Sequence, residues 1–348
     1  MALRDTSRLL VLFGGQSAEH DVSCVTAKHV LEAARRDRYD IVPVGIDRDG
    51  AWSLVEVSGS EESLDPTGTP VNAFVVLQET AASGGAVLPL LHGPMGEDGT
   101  LQGFCELADV PYVGSGVLGS ALAMDKIAAK NALLAAGVPQ AAWFGFNADE
   151  ITASTATNLL RELGSPVFVK PANMGSSVGV SRAETADEVN AALNLAASYD
   201  EWIVVEEAID GREIEMSVLG NRSPRTSLPG EIVAGADFYT YEDKYQDGVA
   251  KLLIPAPLDD GEIAEMQSIA VDAYKALRVE GLARADFFYE PAGRGWLVNE
   301  LNTMPGFTPI SMYPKMWEAS GLGYADLIDE LVDLAYERHA RKRRNTSL

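Results

Sequence analysis

The chain has 348 residues and a mass of 37.2 kDa, with 51 acidic against 27 basic side chains and a formal charge of −24. That length exceeds one ordinary core and implies two or three domains of roughly 100–150 residues each. An isoelectric point near 4.5 excludes nucleic acid or an anionic lipid surface as the main partner, because phosphate-rich ligands need basic stripes, and 47% apolar with 22% charged residues is the balance of a folded chain.

Residues 9–13 (LLVLF) are a continuous apolar run ending in Gly14-Gly15, the pattern of a buried parallel strand entering a turn. Ser17 or Asp21 is placed to cap a following helix through about Arg36, with His20 and His29 as surface or capping residues of that helix. Residues 41–46 supply a second strand, 71–77 and 86–91 add apolar runs, and 101–107 reads as a helix after a Gly-rich loop. This β-α-β alternation predicts an open α/β domain over residues 1–116.

A second unit, 117–210, begins with a helix over 121–136 that is closed by Gly137 and followed by Pro139. A strand at 167–170 then meets a Gly/Ser loop at 173–179, before a helix at 186–197 and a strand at 203–207. The third unit, 211–348, has strands at 213–220, 231–235, 282–290 and 296–301 and a last helix at 323–340. The basic end (Arg338, Arg341, Lys342, Arg343, Arg344) most simply complements the C terminus of that helix. Cys24 and Cys105 lack metal-ligand or CxxC spacing, which fits small core residues in a reducing compartment. No uncharged apolar run approaches the roughly 18–20 residues of a membrane span. The first apolar run is too short for a signal peptide, so a cytoplasmic protein is expected.

Chemistry concentrates in the segment 283–302. Two strand-like runs, DFFYE (286–290) and WLVNEL (296–301), flank the turn Pro-Ala-Gly-Arg-Gly. Paired as a hairpin, Glu290 faces Trp296, Asp286 faces Glu300 and Arg284 faces Asn302, and side chains two apart share a face. Opposed carboxylates destabilise a bare sheet, and a divalent cation reverses that sign. Carboxylates with an amide oxygen suit Mg²⁺ carrying nucleotide phosphates. A second feature is VFVKPANMGSSVGV (167–180), a strand ending in Lys170 and a loop with Gly175, Ser176, Ser177 and Gly179. Small residues let backbone N–H groups approach phosphate oxygens, although the loop has neither Walker A nor GxGxxG spacing. Lysines are scarce in this acidic chain and therefore candidates for anion binding. Lys126 and Lys130 lie one helical turn apart, and Glu206-Glu207 with Glu213 offer acceptors for an adenine or ribose.

Taken together, Lys130, Lys170, Glu206-Glu207, Glu213, Asp286, Glu300 and Asn302 resemble the nucleotide site of the ATP-grasp superfamily. The stretches GGQSAEHDVS (14–23), LHGPMGEDGTLQG (91–103), KPANMGSSVGVS (170–181), YEDKY (241–245) and NELNTMPGFTPISMYP (299–314) resemble, more narrowly, the D-alanine–D-alanine ligase family along almost the whole chain. The resemblance implies a three-domain α/β ATP-grasp architecture with ATP between the central and C-terminal domains. It also implies synthesis of D-alanyl-D-alanine for peptidoglycan through an acyl phosphate, two Mg²⁺ (or Mn²⁺) ions, and a cytoplasmic homodimer.

By the same resemblance, Lys130 and Lys170 contact the phosphates, and Glu206, Glu207, Ile209 and Glu213 lie on the adenine and ribose side. Asp286, Glu300 and Asn302 hold the metals. Glu19 holds the ammonium of the first D-alanine, with His92 nearby. Ser176 and Tyr245 link to Glu19 and close the lid, with Lys244 beside them. Arg284 and the Gly306 N–H stabilise an oxyanion, Ser311 binds the second carboxylate, and Met312 walls the second pocket. The YEDKY stretch favours D-alanine over D-lactate as second substrate. Two readings from other classes are weaker. An ATP-binding regulatory protein does not need the whole residue set, and a nicotinamide dehydrogenase lacks the required glycine spacing.

Overall fold

The computed structural model describes residues 6–57, 63–233 and 251–342, so Lys244 and Tyr245 lie outside the described residues. Three sheets organise the described residues. The first has β1 (Ser7–Gly14), β2 (Tyr39–Ile46), β3 (Trp52–Leu54), β4 (Thr69–Pro70) and β5 (Ala86–Pro89) in the order β4-β3-β2-β1-β5. β1 runs parallel to both β2 and β5. Leu9 to Phe13 are fully buried because helices cover both faces, which is why the run shows no alternation.

On one face, Leu9 and Val11 pack with Cys24, Ala27 and Val30 of α1 (His20–Ala33) and with Leu327, Ile328 and Leu331 near the chain's end. On the other, Leu10 and Leu12 pack with α2 (Ala73–Ala82) and α3 (Thr100–Leu107) through Val76, Leu77, Leu101 and Cys105. The apolar run at 71–77 is thus mainly helical. The Asn72 side chain accepts from the Phe74 and Val75 N–H groups, both at 3.1 Å, and starts α2 there. α1 receives no side-chain cap from Ser17 or Asp21 and stops at Ala33. His29 stays half-exposed beside Glu32, whereas His20 is buried and donates from Nδ1 to the Gly15 carbonyl at 2.5 Å, correcting its surface reading.

The expected helix 121–136 is two helices, α4 (Val117–Met124) and α5 (Lys126–Ala135). Asp125 between them is extended, and its carboxylate accepts from the Ala128 N–H at 2.8 Å. The second sheet, antiparallel, joins β6 (Trp143–Asn147), β7 (Val167–Pro171), β8 (Ser181–Ala183) and β9 (Trp202–Glu207) in the order β6-β9-β7-β8. α6 (Thr155–Leu163) and α7 (Ala186–Ala197) supply its core with Leu159, Val189 and Leu193.

The third sheet carries β10 (Arg212–Gly220), β11 (Arg225–Thr226), β12 (Gly230–Val233), β13 (Lys251–Leu253), β14 (Gly281–Glu290) and β15 (Gly295–Asn302), in the order β13-β12-β10-β14-β15 with β11 also on β10. α8 (Asp260–Ala276), which the sequence reading does not anticipate, begins at a reciprocal cap between Asp259 and Glu262. It packs Met266, Ala270 and Tyr274 against Met216 and Trp296 and beside Leu133 of α5.

The chain continues into α9 (Met312–Ala319) and α10 (Tyr324–Arg341). The basic residues of α10 do more than complement its own terminus. Arg338 is buried, stacks 3.8 Å over the Tyr112 ring and donates to the Tyr112 carbonyl at 2.7 Å. Arg341 pairs with Glu280, and Lys342 with Glu106. Among the described residues no helix is long and apolar enough to cross a membrane.

Candidate active site

Parallel sheets place ligands outside the carboxyl ends of strands where the chain order reverses. In the first sheet that point lies between β1 and β5. Ser23 ties the two strand ends together, accepting from the Gly14 N–H at 2.8 Å and donating to the Leu90 carbonyl at 2.6 Å. Glu19, just after β1, and His92, just after β5, both face the crevice and line a cavity of about 90 Å³. Gly93 lies so close to the Glu19 carboxylate that a Cβ there would stand 3.4 Å from Oε2.

His92 is 5% exposed and donates from Nδ1 to the Met304 carbonyl at 3.0 Å, while Nε2 has no hydrogen-bond partner among the described residues. Glu97 stands 3.7 Å from Nδ1 and accepts from the Gly93 N–H at 2.9 Å. Burial lowers the imidazole pKa, but Glu97 and Glu19 outweigh it and the net direction is upward. Burial raises the Glu97 carboxyl despite His92. The sequence reading missed Glu97. It lies five residues after His92 in the quoted HGPMGEDG stretch, and that acidic residue was the available signal.

The Gly/Ser loop reaches this crevice from the second sheet. Ser176 Oγ donates to a carboxylate oxygen of Glu19, so two distant segments meet as expected. Ser176 and Ser177 sit at φ +48° and +59°, left-handed conformations that cost non-glycine residues energy and cluster at functional loops. From the third sheet come Arg284, Glu300 and Asn302, and from the loop after β15 comes Gly306.

The hairpin register matches the expectation at this end. Arg284 pairs with Asn302 and Asp286 with Glu300, but Phe287 pairs with Val298, Tyr289 with Trp296 and Glu290 with Gly295. Glu290 therefore does not face Trp296. Asn299 is the extra residue of a bulge, and bulges re-aim side chains near sites. Asn299 and Glu300, adjacent in sequence, both line a second, narrow cavity of about 10 Å³.

Lys126, Lys130, Lys170 and Glu206 complete that second cavity. Glu206 is 4% exposed and bridges Lys130 Nζ at 2.6 Å and Lys170 Nζ at 2.5 Å. Burial pushes its carboxyl up, but Lys170 and Lys130 override this and hold it at about 2. Burial lowers Lys170, and Glu206, with Glu300 and Glu213 behind it, raises it further. Glu206 thus orders two lysines, a role that the adenine-side expectation does not contain. Glu207 accepts from the Ala142 N–H and from Arg294 Nη1, each at 2.6 Å. Ile209 is half-buried in the loop between β9 and β10, and Glu213, also half-buried, is the second residue of β10.

Arg284 holds Asp286 through Nε and Nη2 and lies 3.2 Å from Glu215, a carboxylate the sequence reading did not single out. Burial would lower the guanidinium pKa, yet Asp286 and Glu215 raise it well above the ordinary value. Asn302 donates from Nδ2 to Asp286 Oδ2 at 3.1 Å. Ser311 bonds to Thr308 Oγ1 at 2.8 Å and lies against Gly306. Met312 is not among the residues lining either cavity. It packs on Ile232 and Met316.

A parallel-sheet crevice facing two antiparallel sheets across lysines, carboxylates and a Gly/Ser loop is the ATP-grasp architecture. Residues 8–115 match the family model described as D-ala D-ala ligase N-terminus, and residues 132–333 the one described as D-ala D-ala ligase C-terminus. The chain belongs to the D-alanine–D-alanine ligase family. A D-alanine–D-alanine ligase of Shouchella clausii (strain KSM-K16) is 46% identical over 354 residues, covering 96% of each chain. The solved D-alanine–D-alanine ligase from Coxiella burnetii superposes with a TM-score of 0.84 at 37% identity, covering 97% of both chains. The VanG D-Ala:D-Ser ligase from Enterococcus faecalis superposes at 0.80 with 33% identity, over 95% of this chain and 99% of its own.

Proposed function

We propose that the chain joins two D-alanine molecules into D-alanyl-D-alanine, converting ATP to ADP and phosphate, in the supply of peptidoglycan precursors. The observation that carries this reading is that the two cavities share Ala123, Lys126, Glu300 and Leu301 on their walls. A phosphoryl group held on the lysine side therefore lies next to a carboxylate held on the Glu19 side. Phosphoryl transfer asks mainly for positioning and charge neutralisation, and both are built here.

Lys130 and Lys170 bind the phosphates, with Glu206 fixing their ammonium groups, and Glu207, Ile209 and Glu213 border the nucleoside. Glu19 binds the ammonium of the first D-alanine and His92 lies against it. The γ-phosphoryl moves to the carboxylate of that D-alanine as its bond to ADP breaks. The amine of the second D-alanine, as the free base, attacks the acyl carbon. Arg284 and the Gly306 N–H stabilise the oxyanion, phosphate departs taking up the proton that the amine loses, and the peptide bond remains. Ser311, beside Gly306, binds the second carboxylate. Ser176, with Tyr245 and Lys244, closes the site against water, which would hydrolyse an acyl phosphate.

Two carboxylates and one amide are hard oxygen donors that leave coordination positions for phosphate and water, as Mg²⁺ prefers. No group of three or more His, Cys, Asp or Glu with metal-holding geometry occurs among the described residues. Asp286, Glu300 and Asn302 would hold the divalent cations, two Mg²⁺ or Mn²⁺ in this proposal, which supply charge neutralisation at the phosphates.

The D-alanine acceptor is supported by the 46%-identical relative and by the YEDKY stretch. The likeness to a D-Ala:D-Ser ligase means that the fold by itself does not choose the acceptor. A cytoplasmic homodimer belongs to the same proposal, and sizing chromatography tests it. The deciding assay is phosphate release with ATP, Mg²⁺ and D-alanine, with D-lactate and D-serine as competing acceptors and products identified by mass. D-alanyl-D-alanine is expected to dominate. A dominant mixed product would overturn the acceptor assignment, and ATP binding without D-alanine-dependent turnover would overturn the ligase reading.

A further inference from the structure

Glu215 has no role in the reaction above, yet it stands in one row with two residues that do. On the third sheet Glu215 of β10 lies directly opposite Asp286 of β14, and Asp286 directly opposite Glu300 of β15. Directly opposed residues project from the same face, and like charges so placed destabilise a sheet. Three carboxylates therefore stand side by side across three strands. Glu215 is 6% exposed, and a carboxylate buried to that degree has to be compensated by a cation.

That cation is Arg284. Its neighbour on β10 is Ser217, which is buried and donates its hydroxyl to the Tyr313 carbonyl at 3.1 Å. The small side chain leaves the guanidinium room to lie along the row, with Nε 3.2 Å from Glu215 Oε2. On its other flank Glu215 pairs with Gly230 of β12. A Cβ at Gly230 would run into the Met312 methyl carbon, so an apolar tip covers the carboxylate there. Nε carries one proton, and that proton goes to Asp286 Oδ1 at 2.7 Å. Asp286 also belongs to the proposed metal set, so the arginine shares it. Glu215 lies on the opposite side of Asp286 from Glu300, outside that set.

We propose that Glu215 is a positioning residue for Arg284: it holds the guanidinium from the β10 side and accepts the Nε–H when Asp286 turns away, so that the arginine keeps its place as an oxyanion donor. The inference rests on the reaction proposed above and extends its site by one strand.

The test compares Glu215→Gln, which keeps the shape and removes the charge, with Glu215→Asp, which keeps the charge on a shorter stem. Glu215→Gln is also combined with Arg284→Lys. Steady-state constants and the Mg²⁺ concentration for half-maximal rate are measured. Solvent exchange of the Arg284 Nε–H is followed by ¹⁵N NMR of the protein with ADP and Mg²⁺, the signal being assigned by its loss in Arg284→Lys. For Glu215→Gln, kcat is expected to fall by about 10–100-fold, the scale of a reacting group displaced by up to about 1 Å, while the KM for ATP is unchanged. Glu215→Asp recovers part of the loss, and Glu215→Gln adds little to Arg284→Lys, as coupled positions do. The Mg²⁺ midpoint rises in Glu215→Gln, where the arginine rests on Asp286 alone, and does not rise further in Arg284→Lys.

Nε–H exchange rises by at least about tenfold in Glu215→Gln, the factor of one lost hydrogen bond to a charged group. Wild-type kcat and exchange in Glu215→Gln, or losses that add in the double variant, would each overturn the assignment. A Mg²⁺ midpoint raised equally in both backgrounds would make Glu215 a metal ligand and overturn it as well. Should Glu215→Gln not fold, Glu215→Asp carries the test, and wild-type kcat and exchange there overturn the proposal. A wild type without D-alanine-dependent turnover overturns the proposed reaction, and Nε–H exchange then decides the holding role alone.

Discussion

Arg284 grips Asp286 side-on with one edge of its guanidinium, Nε and Nη2 each donating to a different carboxylate oxygen at 2.7 Å. The pair sits two residues apart on one face of β14, so a cation that engages Asp286 must share its oxygens with the arginine. Arg284→Lys replaces a planar fork by a point charge. It is expected to lower kcat by about 10²–10³-fold, the usual loss for an oxyanion donor, and to lower the Mg²⁺ concentration for half-maximal rate. Initial rates against Mg²⁺ at saturating ATP and D-alanine check both, and an unchanged Mg²⁺ midpoint would break the coupling.

Glu206→Gln leaves Lys130 and Lys170 buried without their shared carboxylate. Breaking a buried ion pair typically costs about 3–5 kcal/mol, so the urea midpoint at pH 7 should fall and the KM for ATP should rise. The sign of the pH dependence follows from a carboxyl held at about 2. Its stabilisation is present above the unfolded value of about 4.3 and is lost as pH falls toward the folded value. The difference between wild type and Glu206→Gln should therefore be nearly the same at pH 5 as at pH 7 and shrink below pH 4. A difference that vanishes by pH 5 would contradict the bridged geometry.

His92 carries the opposite pH sign. Burial works against its charged form, but Glu97 and Glu19 win and raise the imidazole. Its stabilising contribution is therefore complete below about 6.5 and disappears as pH rises through the elevated folded value. Glu97→Gln removes the nearest carboxylate, so the His92-linked limb of the pH profile of kcat/KM for D-alanine should move to lower pH. A limb that stays in place belongs to another group.

Arg338 is 2% exposed, and its loss would leave the Tyr112 carbonyl without its donor and the Tyr112 ring with the more distant Lys342, 5.9 Å from its centroid, as its cation. Arg338→Met should cost about 2–4 kcal/mol by these two losses, seen as a lower thermal midpoint with unchanged KM for ATP and D-alanine. Unchanged stability would return Arg338 to the simpler role of complementing its own helix terminus.

Much of the site was legible because its residues announce themselves by alternation. Arg284, Asp286, Glu300 and Asn302 stand at period-two spacing among apolar neighbours, and their pairing was read correctly. The turn end of the same hairpin was misread by one residue, since the bulge at Asn299 has no compositional mark. Helix starts followed side-chain caps more than apolar pattern. Asn72 turned an apolar run into α2, Asp125 divided one expected helix into two, and Asp259 with Glu262 began the unanticipated α8. Charge was the least legible property. Glu206 reads as a surface acid or a nucleoside acceptor until β7 and β9 bring Lys170 beside it and α5 adds Lys130.

The packing of α10 against β1 has a consequence for the order of synthesis. Leu9 and Val11 share one core with Leu327, Ile328 and Leu331, which are made only after the whole of the intervening chain. At about 5–20 residues per second, the ribosome needs on the order of tens of seconds to connect them. Throughout that interval one face of the first sheet has α1 but lacks its other cover. A nascent chain released before residue 335 therefore exposes apolar surface that the finished protein never shows, making it a substrate for chaperones or proteases rather than a smaller folded protein.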